Sequence, residues 1–272
     1  MELLNDDILT EVVKPRKSDS HKGTYGKVLI IGGNEQYGGA AILASSAAVY
    51  SGAGLVTVQT AEKNHAALHA RLPEAMVVKF DEKLDLANFN VILIGCGLGV
   101  EENSRQILRN TLSNLTEEQI LILDGSALTI LAEENLAIPF LENTIYTPHQ
   151  MELERLSKLK ISAQNDKNIA NFARQIKGIL VAKSNQTTIF DRKSAYRLMI
   201  GTPAQATGGM GDTLAGMIAG FLAQFPENPT KTVAAATYLH SKIASQIAEA
   251  QHVVLPHQII AEIPKNMKNV YR

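Results

Sequence analysis

Lys27–Gln59 reads KVLIIGGNEQYGGAAILASSAAVYSGAGLVTVQ. It is a strand–helix–strand unit. The apolar run Lys27–Ile31 is followed by glycines, an Ala-rich helical stretch over Ala40–Tyr50, a Gly52-Ala53-Gly54 turn and a second apolar run at Leu55–Gln59. Strands apolar on both faces need helices on both sides, which is the situation of a parallel sheet. The alternation continues through strands at Val91–Ile94 and Ile120–Leu123 and helical stretches at Glu62–Arg71, Ser104–Leu115 and Ala163–Ile176. Ile179–Lys183, Thr187–Phe190 and Ala195–Ile200 are closely spaced strands suited to antiparallel pairing, and Asp212–Gln224 and Thr230–Ala250 read as long helices. This order predicts an α/β three-layer sandwich around a mostly parallel sheet. No linker, repeat or low-complexity tract interrupts it, so residues 1–272 are expected to form one domain. Val233, Ala236, His240, Ile243 and Ile247 recur at helical spacing and should face the core.

Composition narrows the function classes. Twenty-six Lys and Arg against 27 Asp and Glu give a formal charge of −1, against the basic excess of a dedicated nucleic-acid binder. A single Cys excludes an intrachain disulfide framework and a Cys-cluster zinc site. No apolar run reaches the ~20 residues of a membrane helix, and MELLNDDILTEVV lacks the order of a signal peptide. A cytoplasmic protein is expected.

Four glycine clusters punctuate the chain. Gly32-Gly33-Asn34 with Gly38-Gly39 lacks the Lys-Ser/Thr pair of a P-loop, and Gly95-Cys96-Gly97-Leu98-Gly99 misses the dinucleotide fingerprint by one residue. With Gly52-Ala53-Gly54, these read equally as loop geometry or ligand contact. Ala206-Thr207-Gly208-Gly209-Met210-Gly211-Asp212 is different, because it runs directly into the helix Thr213–Gln224. Successive glycine N–H groups and the positive end of a helix make a site for a phosphoryl group. Asp212 beside it is either a first-turn capping residue or a general base that deprotonates an attacking hydroxyl; the second is the sharper expectation.

Two pieces upstream sit at strand ends. Tyr146-Thr147-Pro148-His149 precedes an amphipathic helix, so His149 is a ligand contact or a helix cap. Lys183 ends GILVAK and meets phosphate or marks solvent. His65 and His69 are four apart on a helix without an accompanying glutamate and read as a solvated face, so no protein metal site is expected. His240 reads as a core histidine with a satisfied hydrogen bond, and Cys96 as a small buried residue.

Taken together, Ser20-His21-Lys22-Gly23, Gly26–Leu29, Ile31-Gly32-Gly33, Gly39-Ala40-Ala41, Ser51–Val56, Gly97-Leu98-Gly99, Thr147-Pro148-His149 and Ala206–Asp212 resemble one family in its order. It is the ADP- or ATP-dependent NAD(P)H-hydrate dehydratases of the ribokinase-like superfamily. The SHKG…GAGLV combination is more specific than the GGMGD loop, which the wider kinase superfamily shares. The resemblance implies a ribokinase-like α/β/α sandwich that repairs the S-epimer of hydrated NADH or NADPH. The ring hydroxyl is phosphorylated at the expense of ADP, and phosphate then leaves as the ring nitrogen pushes electrons. On this resemblance Asp212 is the base, and Gly209 and Gly211 hold the transferred phosphoryl. Lys183, Ser184, Asn185, Gln186 and Thr187, with Gly211, contact the nucleotide. Ala40, Gly97, Gly99, His149 and Asp212 contact the hydrated dinucleotide. Magnesium accompanies the nucleotide phosphates. A homotetramer and a separate epimerase as functional partner are further implications.

The chain departs from the family pattern in four places. Cys96 stands where Pro is common, Ser126 replaces a carboxylate in an Asp-Ala-Asp-Ala-Leu segment, Ser184 replaces Gly, and Met210 replaces Thr. A ribokinase-like kinase of a small vitamin-precursor alcohol is the alternative reading, and a nucleotide-binding protein without turnover is a third.

Overall fold

The apolar runs all become strands of one sheet. The computed structural model describes residues 1–271. The chain enters through β1 (Glu2–Leu3) and α1 (Asp7–Val12), then forms the strand–helix–strand unit β2 (Lys27–Ile31), α2 (Gly38–Tyr50) and β3 (Leu55–Thr60). There follow α3 (His65–Arg71), β4 (Met76–Lys79), β5 (Val91–Ile94), α4 (Glu102–Ser113), β6 (Ile120–Leu123) and α5 (Gly125–Glu134). Next come β7 (Thr144–Tyr146), α6 (Gln150–Ser157), α7 (Asp166–Ile176), β8 (Ile179–Ala182), β9 (Thr188–Phe190) and β10 (Ala195–Arg197). Three helices close the fold, α8 (Met210–Gln224), α9 (Pro229–Ala248) and α10 (Pro256–Asn269). The sheet order is β1-β10-β9-β8-β7-β6-β5-β2-β3-β4. Only β9 runs against its neighbours, so the antiparallel pairing expected of the closely spaced strands is confined to β8–β9–β10.

The period-two alternation divides the core. Val28 and Ile30 of β2 join α1, α2, α8, α9 and α10 on one face, while Leu29 and Ile31 join α4, α5, α6 and α7 on the other. Val233, Ala236, His240 and Ile243 of the expected stripe are buried, and Ile247 packs at its margin. The tightest helix contact is α2 against α8. A Cβ built at Gly216 would overlap the Ala44 carbonyl, and one at Gly220 would come within 2.7 Å of the Ala48 carbonyl oxygen. Small residues on both helices let the backbones meet, and that close packing fixes where α8 begins.

The two most family-specific segments meet each other, away from Asp212. His21 Nδ1 accepts from the Gly23 N–H at 3.1 Å, closing a short 3-10 turn over Lys22–Tyr25. The Gly54 N–H then donates to the Tyr25 carbonyl at 3.0 Å, and the Leu55 N–H to the Gly26 carbonyl at 3.1 Å. This brace lies where β2 and β3 begin. Asp212 and its neighbours lie at the opposite, carboxyl ends of the strands.

Candidate active site

Parallel strands that end in register deliver their following residues to one edge, and β5, β6, β7 and β8 do so here. Asp124 follows β6, Thr147 follows β7, Lys183 follows β8, and Cys96 lies in the loop after β5. Asp124 is 3% exposed. Its Oδ1 accepts from Lys183 Nζ at 2.8 Å and from Thr147 Oγ1 at 2.6 Å, and its Oδ2 from Cys96 Sγ at 3.6 Å. Burial works against its charge, but Lys183 and these hydrogen bonds outweigh burial and hold the carboxyl below the ordinary range. Desolvation likewise pulls Lys183 down, while the charges of Asp124 and Glu152 carry it above its ordinary value.

Asp212 faces this pair from the first turn of α8. That helix starts at Met210, earlier than its apolar periodicity suggested, so Gly211 and Asp212 are helical and Gly209 is the cap. Gly209 has φ +91°, which strains any L side chain, and a Cβ there would also meet Leu43 and Pro256. The following N–H groups have no intrahelical acceptor and point out of the helix end. Burial, and secondly the negative charge of Asp124, push the Asp212 carboxyl up to about 6. Lys183 Nζ is 3.3 Å from where a Cβ on Gly211 would lie, so the ammonium stands over the same helix end.

The predicted nucleotide segment divides. Lys183, Ser184, Asn185 and Thr187 line a cavity of about 560 Å³ that reaches Gly211, whereas Gln186 is exposed and does not line it. Its N–H is held by Ser184 Oγ at 3.0 Å, and Thr187 Oγ1 accepts the Ser184 N–H at 3.3 Å. Ser184 therefore closes the turn that a Gly would have left looser. The far wall carries Thr202, Gln205, Thr237 and Ser241, which no motif marked, together with His240 of the apolar stripe. His240 is buried as expected, but only one nitrogen is near a partner, with Nδ1 3.5 Å from Gln205 Nε2. Its Nε2 has none, and burial depresses the imidazole to about 4.

On the other side, Ala40 and Gly97 come together, since a Cβ on Gly97 would lie 2.8 Å from Ala40 Cβ and 2.5 Å from the Tyr37 carbonyl oxygen. The Gly99 N–H donates to Ser126 Oγ at 3.0 Å. Ser126, where a carboxylate is common, thus pins the loop after β5. His149 adjoins Lys183 through the Lys183 N–H, which donates to the Pro148 carbonyl at 2.9 Å. It also caps α6: Nδ1 accepts from Met151 and Glu152 N–H at 3.1 and 3.3 Å, and Glu152 Oε2 accepts the His149 N–H at 2.8 Å. Capping and a place at the site edge are both realised, with half the ring exposed. Burial, then Lys183, lowers its pKa. Burial pushes Glu152 up to about 7, against the pull of Lys183.

Glu152 lay outside every motif, while Thr147 and Asp124 stood inside motif segments (Thr147-Pro148-His149 and Asp124-Gly125-Ser126-Ala127-Leu128) without a role assigned to them. A carboxylate directly after the apolar run ILIL was the available signal for Asp124. Cys96 is fully buried, and burial followed by the charges of Asp124 and Asp212 raises its thiol well above the ordinary range, so it is no nucleophile. One ligand atom from each of Cys96, Asp124 and Asp212 lies within 4.8 Å of the others. They do not fit a resident magnesium. That ion wants oxygen ligands, whereas here one donor is a protonated thiol and one carboxylate oxygen is taken by an ammonium. His65 and His69 join no metal-capable group among the described residues, and no helix among them is long and apolar enough to cross a membrane.

A half-buried carboxylate at a helix N-terminus, an ammonium over that terminus and a cavity running away from both are the parts a phosphoryl-transfer site needs. The family model described as NAD(P)H-hydrate dehydratase matches residues 28–265. An ADP-dependent (S)-NAD(P)H-hydrate dehydratase of Lactococcus lactis is 56% identical over 97% of this chain and 98% of its own. A solved ribokinase-like superfamily protein of Enterococcus faecalis superposes with a TM-score of 0.96 at 47% identity, covering 99% of this chain and 96% of that one. The Bacillus subtilis ADP/ATP-dependent NAD(P)H-hydrate dehydratase, co-crystallized with ATP and Mg2+, gives a TM-score of 0.87 at 30% identity over 99% and 98% of the two chains. With its ten-stranded, mostly parallel sheet and this shared architecture, the chain belongs to the NAD(P)H-hydrate dehydratase family of ribokinase-like enzymes.

Proposed function

We propose that this protein dehydrates the S-epimer of hydrated NADH or NADPH at the expense of ADP, releasing AMP and phosphate. The carrying observation is the Asp212 carboxyl, held near a protonation midpoint of about 6 beside the N-terminus of α8 and the Lys183 ammonium. Asp212 takes the proton of the ring hydroxyl as its oxygen attacks the terminal phosphorus of ADP. The phosphorus–oxygen bond to AMP breaks, and AMP leaves. Lys183 and the N–H groups at Gly209–Gly211 balance charge on the transferred group. The nicotinamide nitrogen lone pair then expels phosphate, the adjacent ring carbon loses a proton, and the reduced ring is restored. Hydroxide leaves poorly and phosphate well, which is why a nucleotide is spent.

The nucleotide is proposed to lie along the cavity from Gly211 past Lys183, Ser184, Asn185 and Thr187, with the hydrated ring between Asp212, Ala40, Gly97, Gly99 and His149. Magnesium would arrive on the nucleotide phosphates, since the protein carboxylates do not form a cage for it. The names of the relatives favour dehydratase over vitamin-precursor kinase. Family membership supports a cytoplasmic homotetramer served by a separate epimerase, and light scattering of the purified protein tests the oligomer.

Purified protein given the hydrated S-epimer, magnesium and ADP should restore the absorbance of reduced nicotinamide. Asp212→Asn should lower turnover by ~10²–10⁴ while ADP still binds. No recovery with either ADP or ATP would overturn the assignment.

A further inference from the structure

The proposed reaction uses Asp212 and Lys183 and leaves Asp124 without a task, although Asp124 is the most heavily bonded side chain at the site. Its carboxylate receives Lys183 from the end of β8, Thr147 from the end of β7 and Cys96 from the loop after β5. Its own N–H donates to the Ile94 carbonyl of β5 at 3.1 Å. It is buried, so it offers the substrates little surface. A lysine has a flexible stem and no preferred direction of its own. Here the Nζ is fixed 2.8 Å from Asp124 and beside Gly211, where phosphoryl charge would develop.

We propose that Asp124 is a positioning residue for the phosphoryl step: it aims the Lys183 ammonium at the N-terminus of α8 and, through its negative charge beside Asp212, makes that carboxylate a stronger base. This rests on the dehydratase reading for the identity of the reaction. The groups facing Asp212 are Asp124 at the end of β6, Lys183 at the end of β8 and Cys96 after β5; Glu152 of α6 and its N-cap His149 act on the Asp124–Lys183 pair. Like charge raises proton affinity and opposite charge lowers it, so the two members of the pair act on Asp212 with opposite signs.

That sign difference is the test. Asp124→Asn keeps the size of the side chain and an oxygen for Thr147 while removing the charge. Carbon-detected NMR of aspartate-labelled protein, with Asp212 assigned through Asp212→Asn, reads the titration without turnover. In Asp124→Asn the Asp212 midpoint should fall by about one pH unit, a tenfold loss of proton affinity. The acid limb of kcat should move down with it, and KM for ADP should rise about tenfold as Lys183 loses its aim. In Lys183→Met the Asp212 midpoint should instead rise. A folded Asp124→Asn protein with unchanged Asp212 titration and unchanged ADP affinity would overturn the proposal. If that variant does not fold, a Lys183→Met midpoint that stays or falls would do so. Absence of turnover in the wild type would remove the dehydratase reading, and the titration would still decide the role of Asp124.

Discussion

Replacing Lys183 with Met should destabilise the protein in a way that depends on pH with a definite sign. The Lys183 side chain is 18% exposed and that of Asp124 is 5% exposed, so the pair is almost fully withdrawn from water. Removing one member of such a pair costs ~3–5 kcal/mol, because the other charge is left buried and alone. The cavity admits water to the place of the ammonium, which brings the expectation to about 2–3 kcal/mol at pH 7.5. At ~2–4 °C per kcal/mol this lowers Tm by about 4–12 °C. In the wild type Asp124 titrates below its unfolded value, so its stabilisation is complete above ~pH 4 and is lost only as pH falls further. In Lys183→Met only the Thr147 and Cys96 hydrogen bonds still oppose burial, which is the largest influence, and the folded Asp124 should titrate above the unfolded value. Its penalty therefore starts near pH 4 and grows as pH rises to the new folded value. Glu152, already pushed up to about 7 by burial, loses the same ammonium and moves the same way. Urea unfolding at pH 4.5 and 7.5, with wild type alongside, measures the difference. Destabilisation below about 0.5 kcal/mol at pH 7.5, or equal at both pH values, would refute the reasoning; adding Asp124→Asn should recover part of the loss.

Two further substitutions probe neighbouring features. The raised Glu152 carboxyl withdraws stability as pH climbs from its unfolded value of ~4.3 toward about 7, so Glu152→Gln should gain on wild type between pH 5 and pH 8 in urea unfolding. Equal pH dependence in the two proteins would show that Glu152 does not titrate in this range. Gly209→Ala forces an L residue to φ +91° against Leu43 and Pro256, costing ~1–3 kcal/mol and displacing the helix end. KM for ADP should rise at least tenfold; an unchanged KM would separate this glycine from the nucleotide.

The strands that end at the candidate site were legible because β2, β5, β6 and β8 are apolar on both faces and β3 carries Val56 and Val58 on one, each flanked by glycine or a polar residue. β4, β1, α1, α5 and α10 were not assigned, and β7 only through Ile145. β1 is a two-residue exposed edge strand with no apolar run, whereas residues 75–78, which run into β4, are apolar but end at Lys79 with no glycine or aspartate directly after it, and that strand is partly exposed at the sheet edge. The Gly208–Asp212 loop announced itself by composition. The start of α8 did not, because Gly211 is a weak helix former set among glycines, although the helix already begins at Met210.

Family membership was thus determined by sequence alone, largely through the Ser20–Gly26 and Gly52–Val56 segments, which brace each other through Gly54 on Tyr25 and Leu55 on Gly26. The Gly-rich loop with Asp212 was likewise written locally. Tertiary structure alone decided which groups act on Asp212. Asp124, Thr147 and Lys183 are scattered over some sixty residues (the Lys183–Asp124 bond spans 59) and meet because adjacent parallel strands end together. Proton affinities at the site depend on distance and burial, and neither is a property of any one segment.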